Sequence, residues 1–536
     1  MHALAAMTLG LRRRLAAVVG APPRSPPLWA APLAIGLLAL ALRLYGLGDK
    51  PFWLDEVASL RRATASVHDL VADSLRNNHY PSYFLLLWLV AKLGTSQWLL
   101  RLPSAVFGAI GAALTCMIGE RAVGRRGGLI AGLLMAASPF AVQFGQEARS
   151  YTLASCLILV ALLGLVRLAK KPEAAARPLH RQGALRGAWL AYGLGTAAAL
   201  NVLNVAVPWL VAANLGAAAI ISQARGHRRG FLRNWGLVQV LILATWLPSI
   251  IWVYVASKGA VLDGAGWAPA IGAGAVWSTL APVYLLRISR FITFGMMPAA
   301  IPGLAIVIAI VAALGAWRLR RAPAMLVVLG SAALLLPISL LAVSLFVPVL
   351  VSRYFAWSAA PFFILVGAGM GMLGGRRFAV AAVPLTAACL INLYPYYGDE
   401  TKPRWDLLAT RLAAAAQPGD VVLVDSYYSY SVLSVFAARD GLTDHGVSVT
   451  WDPAKAFEQV PGHDLWAVYG RAGQASKKQS SAHYRQTLAP LGQPIAQHRV
   501  GRYIEVWRFH EPSGAEPVAA APPQHPQGLA ADSPHP

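Results

Sequence analysis

The sequence predicts an α-helical polytopic membrane protein with a small α/β domain near its C-terminal end. Its 536 residues are 57% hydrophobic and only 13% charged, and the mean hydropathy is +0.53. Soluble globular chains carry about 25% charged residues, so this chain has more apolar surface than a soluble core can bury. A lipid bilayer is the solvent that accommodates such a surface.

Eleven apolar runs are long enough to cross a bilayer, since a membrane-spanning helix needs about 20 residues. They cover residues 28–47, 103–120, 127–145, 152–168, 187–202, 205–222, 235–255, 298–317, 324–348, 356–374 and 378–394. Basic clusters lie between the runs, at Arg12–Arg14, Arg121–Arg126, Arg167–Arg186, Arg225–Arg233, Arg318–Arg321 and Arg376–Arg377. A cytoplasmic N-terminus puts every cluster on the cytoplasmic side. Topology therefore explains most of the net charge of +23, and nucleic acid is not an expected partner.

The predicted domain boundaries follow these runs. Residues 1–27 form a cytoplasmic N-terminal segment, and residues 28–394 form the transmembrane domain, because the first run is too long for a signal peptide. Residues 395–510 are more polar and alternate in character, which predicts an α/β domain outside the cytoplasm. Residues 511–536 are rich in Pro and Ala, which is typical of disorder.

The first external loop, residues 48–102, contains an apolar stretch over Pro81–Leu93 that is too short to span. We expect it to form an interfacial helix lying on the membrane. In the C-terminal domain we expect a helix over Trp405–Ala416 and strands over Val421–Val424, Val447–Trp451, Leu465–Tyr469 and Tyr503–Phe509.

Two adjacent carboxylates, Asp55 and Glu56, follow the first predicted membrane helix. A carboxylate at this position can act as a general base toward a hydroxyl. A solvated loop with two ordinary acids is the alternative. A second cluster surrounds His79, which is suited to a phosphate or a metal ion and equally to a polar cap on a surface helix.

A third cluster, Gln146–Tyr151, lies at the external junction between the third and fourth predicted membrane helices. Glu147 and Arg149 are costly at a membrane interface unless they are paired or used, and arginine is well suited to phosphate. A structural contact of Glu147 is the alternative explanation. We find no phosphate-binding glycine loop, HExxH motif or nucleophile elbow.

Further basic residues are predicted on the external side. Arg353 lies at the external end of the ninth predicted helix, and Lys258, Arg287 and Arg290 lie in the external segment 256–297. Basic residues on the external side oppose the positive-inside trend. Binding of an anionic lipid head group would explain their position. Snorkelling of long side chains to the interface is the alternative for Arg287 and Arg290.

These clusters, in their order along the chain, resemble the GT-C superfamily of membrane glycosyltransferases. The run Gly46–Glu56 is similar to the first loop of the branch that contains protein O-mannosyltransferases and lipid A aminoarabinose transferases. The next blocks are similar in order, at Asn78–Leu87, Arg101–Ser104, Ser138–Tyr151 and Arg353-Tyr354. Residues 405–420 resemble the external domain of uncharacterised bacterial members. One departure is Tyr80-Pro81-Ser82, where relatives often have paired prolines.

The resemblance implies a GT-C-like fold in a bacterial inner membrane, a polyprenyl-phosphate sugar donor, and inverting transfer outside the cytoplasm. Asp55 matches the catalytic acid of the first loop and is the candidate base, and Glu56 is a second catalytic candidate that would orient the acceptor or a metal ion. Arg149 and Arg353 are expected to bind the donor phosphate. The remaining predicted site residues orient the acceptor or a metal ion, and they are His79, Glu147 and Tyr151. We expect no cofactor, with a divalent metal ion left open.

Two other functions stay open from the sequence. A transporter or flippase of lipid-linked sugar places its charges near the bilayer midplane and often has internal repeats. Here the charges collect at one surface and no repeat is visible, which favours a transferase. A catalytically inactive relative that binds lipid or glycan is the other alternative, and the presence of both Asp55 and Arg149 counts against it.

Overall fold

A computed structural model of the chain describes residues 27, 29–258, 268, 270–284, 301–470 and 481–510. Several predictions lie outside these residues, namely those for the N-terminal segment with Arg12–Arg14, for Arg287 and Arg290, and for the tail 511–536. Within them, the chain forms a helix bundle followed by a small sheet domain, and the predicted fold class is confirmed.

The helices of the first 398 residues make up the bundle and its first loop. They are α1 (Ala30–Leu44), α2 (Leu54–Thr64), α3 (Val67–Arg76), α4 (Ser82–Ala91), α5 (Gln97–Val123), α6 (Arg125–Ala137), α7 (Pro139–Gly145), α8 (Tyr151–Ala169), α9 (Pro172–Ala175), α10 (Ala184–Leu200), α11 (Val207–Gln223), α12 (Arg228–Ala256), α13 (Ala273–Tyr284), α14 (Ile301–Leu319), α15 (Pro323–Val343), α16 (Ala356–Met370) and α17 (Gly375–Gly398).

Each of the eleven predicted apolar runs coincides with a helix, except that the third is a pair, α6 and α7, bent by 56°. By length and composition, six described helices are able to cross a membrane, or seven if the bent pair is one span. Helices α1 and α14 are apolar but shorter. The chain is therefore a multi-pass membrane protein, and its count of eleven spans stays a prediction.

Small residues let the bundle helices approach closely, as is common where helices pack within membranes. A Cβ atom on Gly119 of α5 would lie 2.7 Å from the Cα atom of Gly128 in α6. Such a contact is too short for any side chain. The close packing of α5 on α6 therefore depends on glycine at this crossing.

The bend between α6 and α7 is stabilised by Arg43, a fully buried residue of α1. Pro139 has no backbone N–H, so the carbonyl of Met135 loses its usual helical donor. The Arg43 guanidinium donates to the carbonyls of Met135 at 3.3 Å and Ala136 at 3.1 Å. A buried arginine thus satisfies the carbonyl groups that the proline break leaves open.

The first loop contains three helices, α2, α3 and α4. Helix α4 is the short apolar helix predicted after Pro81, and it buries Tyr83, Phe84 and Leu87. These side chains share an apolar core with residues of the C-terminal domain, including Trp405. The loop therefore joins the two parts of the chain.

The C-terminal domain is a five-stranded mixed sheet with helices. Its elements are α18 (Trp405–Ala415), β1 (Val421–Val424), α19 (Tyr427–Arg439), β2 (Ser448–Thr450), α20 (Pro453–Gln459), β3 (Leu465–Gly470), α21 (Ser481–Thr487), β4 (Ala496–Val500) and β5 (Ile504–Phe509). The strand order is β2-β1-β3-β5-β4. Strand β1 pairs in parallel with β2 and with β3, where Val421 faces Leu465. Strand β5 is antiparallel to β3 and β4, and Leu465 faces Phe509.

The structure confirms the predicted helix at the start of this domain and all four predicted strands, with small changes at their ends. Strand β4 was not predicted. It lies at the edge of the sheet, and three of its five residues are exposed, so it lacks the apolar pattern of a buried strand.

Candidate active site

The two predicted acids lie in the first turn of α2, which begins at Leu54. A helix N-terminus favours negative charge, because its free N–H groups and its dipole are positive there. Successive residues of a helix point about 100° apart. Asp55 and Glu56 therefore enter different surroundings although they are neighbours in the sequence.

Glu56 is completely buried and is held by two cations. Its Oε1 atom accepts from Arg101 Nε at 2.7 Å and from the backbone N–H of Ala148 at 3.0 Å. Its Oε2 atom accepts from Arg101 Nη2 at 2.8 Å and from Lys402 Nζ at 2.7 Å. Burial alone would raise the pKa of Glu56, but Arg101 and Lys402 outweigh it and lower that pKa to about 2. Glu56 is therefore an ionised carboxylate with both oxygens occupied.

Arg101, at the start of α5, extends this network into the first loop. Its guanidinium also donates to the carbonyls of Leu47 at 2.9 Å, Lys50 at 2.8 Å and Pro51 at 3.1 Å. The chain from 47 to 51 thus wraps around one buried arginine. Glu56 and Arg101 together fix the path of the loop that leads into α2.

Asp55 has a more open environment. Its side chain is 19% exposed, and its Oδ2 atom lies 3.4 Å from Arg353 Nη2. This Oδ2 atom accepts no hydrogen bond within the described part of the chain. Arg149 Nη1 donates to the backbone carbonyl of Asp55 at 3.4 Å. The Asp55 carboxylate thus lies beside the Arg353 guanidinium, and its buried Oδ2 atom accepts no hydrogen bond from the described residues.

Both of these arginines are buried, with 8% of each residue exposed. Arg149 lies 5.8 Å from the ring of Tyr151 and 6.0 Å from the ring of Phe84. Burial lowers the pKa of Arg353, but the combined electrostatic contributions of Asp55, Tyr151, Tyr354 and Glu147 outweigh it and the net pKa is raised. Aromatic faces and a carboxylate stabilise the two cations in this site.

Glu147 is also buried, yet neither of its oxygens has a hydrogen-bond partner among the described residues. Burial raises its pKa to about 7, and the charges of Glu56 and Asp55 add to that rise while those of Lys402 and Arg353 oppose it. Glu147 and Glu56 are therefore two buried acids whose pKa values are shifted in opposite directions.

His79 follows Asn78, which has a left-handed backbone with φ of 57° and accepts from Asn204 Nδ2 at 2.7 Å. Burial and the positive charges of Arg149 and Arg62 hold the pKa of His79 well below its usual value. Its imidazole is therefore neutral at physiological pH. It is suited to hydrogen bonding and not to pairing with a phosphate charge.

Tyr151 is the first residue of α8 and is buried. Contacts and electrostatic coupling thus bring the predicted site residues together at one end of the bundle, and they are Asp55, Glu56, His79, Glu147, Arg149, Tyr151 and Arg353. Lys258, also predicted on this side, is exposed at the end of α12. The convergence of the seven predicted site residues makes this end of the bundle the candidate active site.

Comparison with known proteins gives two kinds of match. A family model described as dolichyl-phosphate-mannose-protein mannosyltransferase matches residues 78–252. The apo structure of ArnT from Cupriavidus metallidurans is 14% identical, with a TM-score of 0.57 over 88% of this chain and 97% of that chain. This chain has the fold of the GT-C membrane glycosyltransferases.

Two other structures with the GT-C fold were determined with lipid phosphates. ArnT bound to undecaprenyl phosphate is 15% identical, with a TM-score of 0.53 over 89% of this chain and 97% of that chain. The archaeal oligosaccharyltransferase AglB from Archaeoglobus fulgidus, in complex with an inhibitory peptide and a dolichol-phosphate, is 11% identical, with a TM-score of 0.51 over 82% and 69% of the two chains. No curated protein matches the chain by sequence.

Sequence reasoning missed two residues of this candidate site, Arg101 and Lys402. Arg101 belongs to a block that resembles the superfamily, and its position at a helix start near the acids was an unused signal. Lys402 gave no signal, because it lies 346 residues from Glu56 in a segment that reads as a domain linker. Among the described residues, no group of three or more His, Cys, Asp or Glu side chains is placed to hold a metal ion.

Proposed function

We propose that this chain is an inverting glycosyltransferase that moves a sugar from a polyprenyl-phosphate donor to an acceptor hydroxyl. The observation that carries the proposal is the 3.4 Å contact between Asp55 and Arg353, with Arg149 bonded to the backbone of Asp55. A candidate base and two candidate phosphate-binding cations thus share one site at the end of a membrane bundle. The GT-C fold and the matched family support the same reaction class.

In the proposed reaction, Asp55 takes the proton of the acceptor hydroxyl while that oxygen attacks the anomeric carbon of the donor sugar. A bond forms between the acceptor oxygen and the anomeric carbon, and the bond from that carbon to the lipid phosphate oxygen breaks. The configuration inverts because attack and departure occur on opposite faces. A positioned base typically contributes about 10²–10⁴-fold in rate.

The lipid phosphate leaves with its electron pair, so the site must stabilise developing negative charge rather than donate a proton. Arg149 and Arg353 supply two guanidinium groups for this purpose, and both are held in place by aromatic rings and by Asp55. Arginine suits phosphate because its planar fork donates two parallel hydrogen bonds. The isoprenoid tail of the donor would remain in the bilayer beside the bundle.

The other site residues take supporting roles in this proposal. Glu56 fixes the first turn of α2, since its oxygens are occupied by Arg101 and Lys402. Glu147, neutral His79 and Tyr151 line the same region and orient the acceptor. No metal ion is required in this scheme, and a divalent ion beside Glu147 is the alternative that a chelator would reveal.

We further propose that the site faces outside the cytoplasm of a bacterial inner membrane. The positive-inside distribution of arginine clusters supports this orientation. With a cytoplasmic N-terminus and eleven spans, the C-terminal domain lies on the same external side as Asp55. Acceptors on that side include protein hydroxyls, lipids and cell-envelope glycans.

The test is sugar transfer by reconstituted protein with a panel of radiolabelled polyprenyl-phosphate sugars and a membrane extract as the source of acceptor. We expect wild-type protein to move label from one donor, and Asp55→Asn to reduce that transfer by about 10²-fold or more. Thermal unfolding of both proteins in detergent shows whether the substitution preserves the fold. Addition of EDTA to the wild-type reaction tests the metal alternative.

Each other outcome supports a different function. If transfer persists in Asp55→Asn, Asp55 is not the base, but the chain is still a glycosyltransferase. Tight donor binding without transfer favours a transporter or flippase, or an inactive relative that binds lipid or glycan. The two are separated by measuring movement of a labelled lipid-linked sugar between the leaflets of a vesicle.

A further inference from the structure

The segment that leaves α17 and enters the C-terminal domain, residues 396–402, contacts the site from outside the bundle. We call it the junction. Tyr396, in the last turns of α17, donates its hydroxyl to Gln146 Oε1 at 2.8 Å. Lys50 Nζ in the first loop donates to the backbone carbonyl of Asp399 at 3.0 Å. The junction is therefore bonded to both loops that carry the site residues.

The junction is also bonded to the C-terminal domain. The carboxylate of Glu400 accepts from the backbone N–H of Arg502, which lies in the turn before β5, at 3.1 Å. Helix α18 begins only three residues after Lys402, and its Trp405 is buried in the core that α2 and α4 share with this domain. Movement of the domain relative to the bundle would therefore displace the junction.

Lys402 is the junction residue that reaches furthest into the site. Its ammonium lies 2.7 Å from Glu56 Oε2, and both side chains are at least 96% buried. A buried lysine is costly unless it is paired with good geometry. The charged groups that face it are Glu56, Arg101, Glu147 and Lys50.

We infer that Lys402 is a positioning residue for the transferase reaction, through which the C-terminal domain holds the base-bearing turn of α2 in place. Glu56 follows Asp55 directly in the first turn of α2, so contacts that fix the Glu56 carboxylate also restrain the backbone that carries Asp55. Lys402 and Arg101 clamp that carboxylate from two sides. This inference rests on the proposed function and adds the part of the chain on which the base depends.

The test compares Lys402→Met with a matched control, Arg404→Met. Arg404 is two residues away and forms a pair with Asp406 at 2.8 Å, but its side chain is 38% exposed and the pair does not contact the site residues. We expect Lys402→Met to lower kcat by about 100-fold, which is the cost of roughly 1 Å of misplacement. We expect the donor KM to change much less, because Arg149 and Arg353 are untouched. Arg404→Met should keep wild-type kcat and KM.

Two further variants separate positioning from a general loss of structure. Lys402→Arg keeps a positive charge beside Glu56 and should recover most of the lost kcat. The double variant Glu56→Gln/Lys402→Met should have the same kcat as Glu56→Gln alone, because both residues act through the same contact. Should Lys402→Met fail to fold, Lys402→Gln keeps a donor without the charge, and we expect it to lower kcat by about 10-fold.

The outcomes distinguish this inference from the proposed function. Wild-type protein that transfers no sugar overturns both. Wild-type kcat in Lys402→Met or Lys402→Gln overturns only the role of Lys402, and so do additive losses in the double variant. A large rise in donor KM with unchanged kcat would likewise show that Lys402 acts on donor binding and not on the base.

Discussion

The first turn of α2 has a closed side and an open side, and they differ although the sequence supplies two adjacent acids. On the closed side, Glu56 is fully buried and bonded by Arg101, Lys402 and a backbone N–H. On the open side, Asp55 is 19% exposed and has one guanidinium contact at 3.4 Å. The oxygens of Glu56 are saturated with hydrogen bonds, whereas Oδ2 of Asp55 accepts none from the described residues. This difference supports the proposed division of roles between the two acids.

The largest expected effect on stability is on the closed side. Glu56→Gln leaves Arg101 and Lys402 buried without their counter-charge, which typically costs about 3–5 kcal/mol. Since the pKa of Glu56 is lowered to about 2, this contribution is complete above its ordinary value of 4.5 and is lost as pH falls toward 2. Thermal unfolding in detergent at pH 7 and pH 3 measures it. Glu458→Gln, at an exposed position, is the control and should stay within about 0.5 kcal/mol of wild type.

On the open side, Arg353→Gln should lower the rate of transfer by about 10²–10³-fold, as loss of a charge-stabilising group in an active site does. Initial rates at saturating donor measure this effect. Arg353→Lys keeps the charge but loses the planar fork, so an intermediate rate is expected. A rate in Arg353→Gln equal to that of wild type would falsify the division between the two sides.

Glu147 gives an effect of similar size with the opposite pH dependence to that of Glu56. Its pKa is raised to about 7 in the folded protein, so the folded state binds the proton more tightly than the unfolded state. Stability is therefore reduced as pH rises from 4.5 through 7, by up to about 3 kcal/mol. Glu147→Gln should remove this loss, so its advantage over wild type grows between pH 5 and pH 8. Exposed Glu458→Gln is the control, and equal pH profiles for all three proteins would contradict the assignment.

The smallest expected effect is at the edge of the junction. The Arg404–Asp406 pair is partly exposed, and such pairs contribute about 0–1 kcal/mol. Arg404→Met should therefore change the melting temperature by less than Glu56→Gln does at the same pH. Added salt should weaken the Arg404 pair and leave the buried Glu56 pair nearly unchanged.

Most of the fold was accessible from the sequence because apolar length and charge distribution act locally. The eleven runs and the short helix after Pro81 each depend on about 10 to 20 neighbouring residues. Strand β4 was missed because an exposed edge strand has no apolar alternation, and the sequence of Ala496–Val500 is largely polar. The bend at Pro139 was not predicted, since the apolar run continues through it.

The candidate site was accessible only in part. Asp55, Arg149 and Arg353 were selected as charged residues at external helix ends, in blocks that resemble the superfamily. The resemblance singled out Asp55 as the base, but the different surroundings of Asp55 and Glu56 were not predictable, because they depend on the distant partners Arg101 and Lys402. A contact across 346 residues is set by tertiary packing and leaves no periodic pattern in one sequence.

Because the chain is synthesised from its N-terminus, the Lys402–Glu56 pair cannot form until long after Glu56 has been made. Lys402 is made 346 residues after Glu56, which at about 5–20 residues per second takes roughly 20–70 s. During that interval the nascent chain already contains Arg149, and later Arg353, but not the lysine that completes the clamp on α2. A growing chain thus contains the proposed donor-binding groups before the residue proposed to position the base. In the proposed reaction, full transfer activity therefore requires that the ribosome has passed the junction.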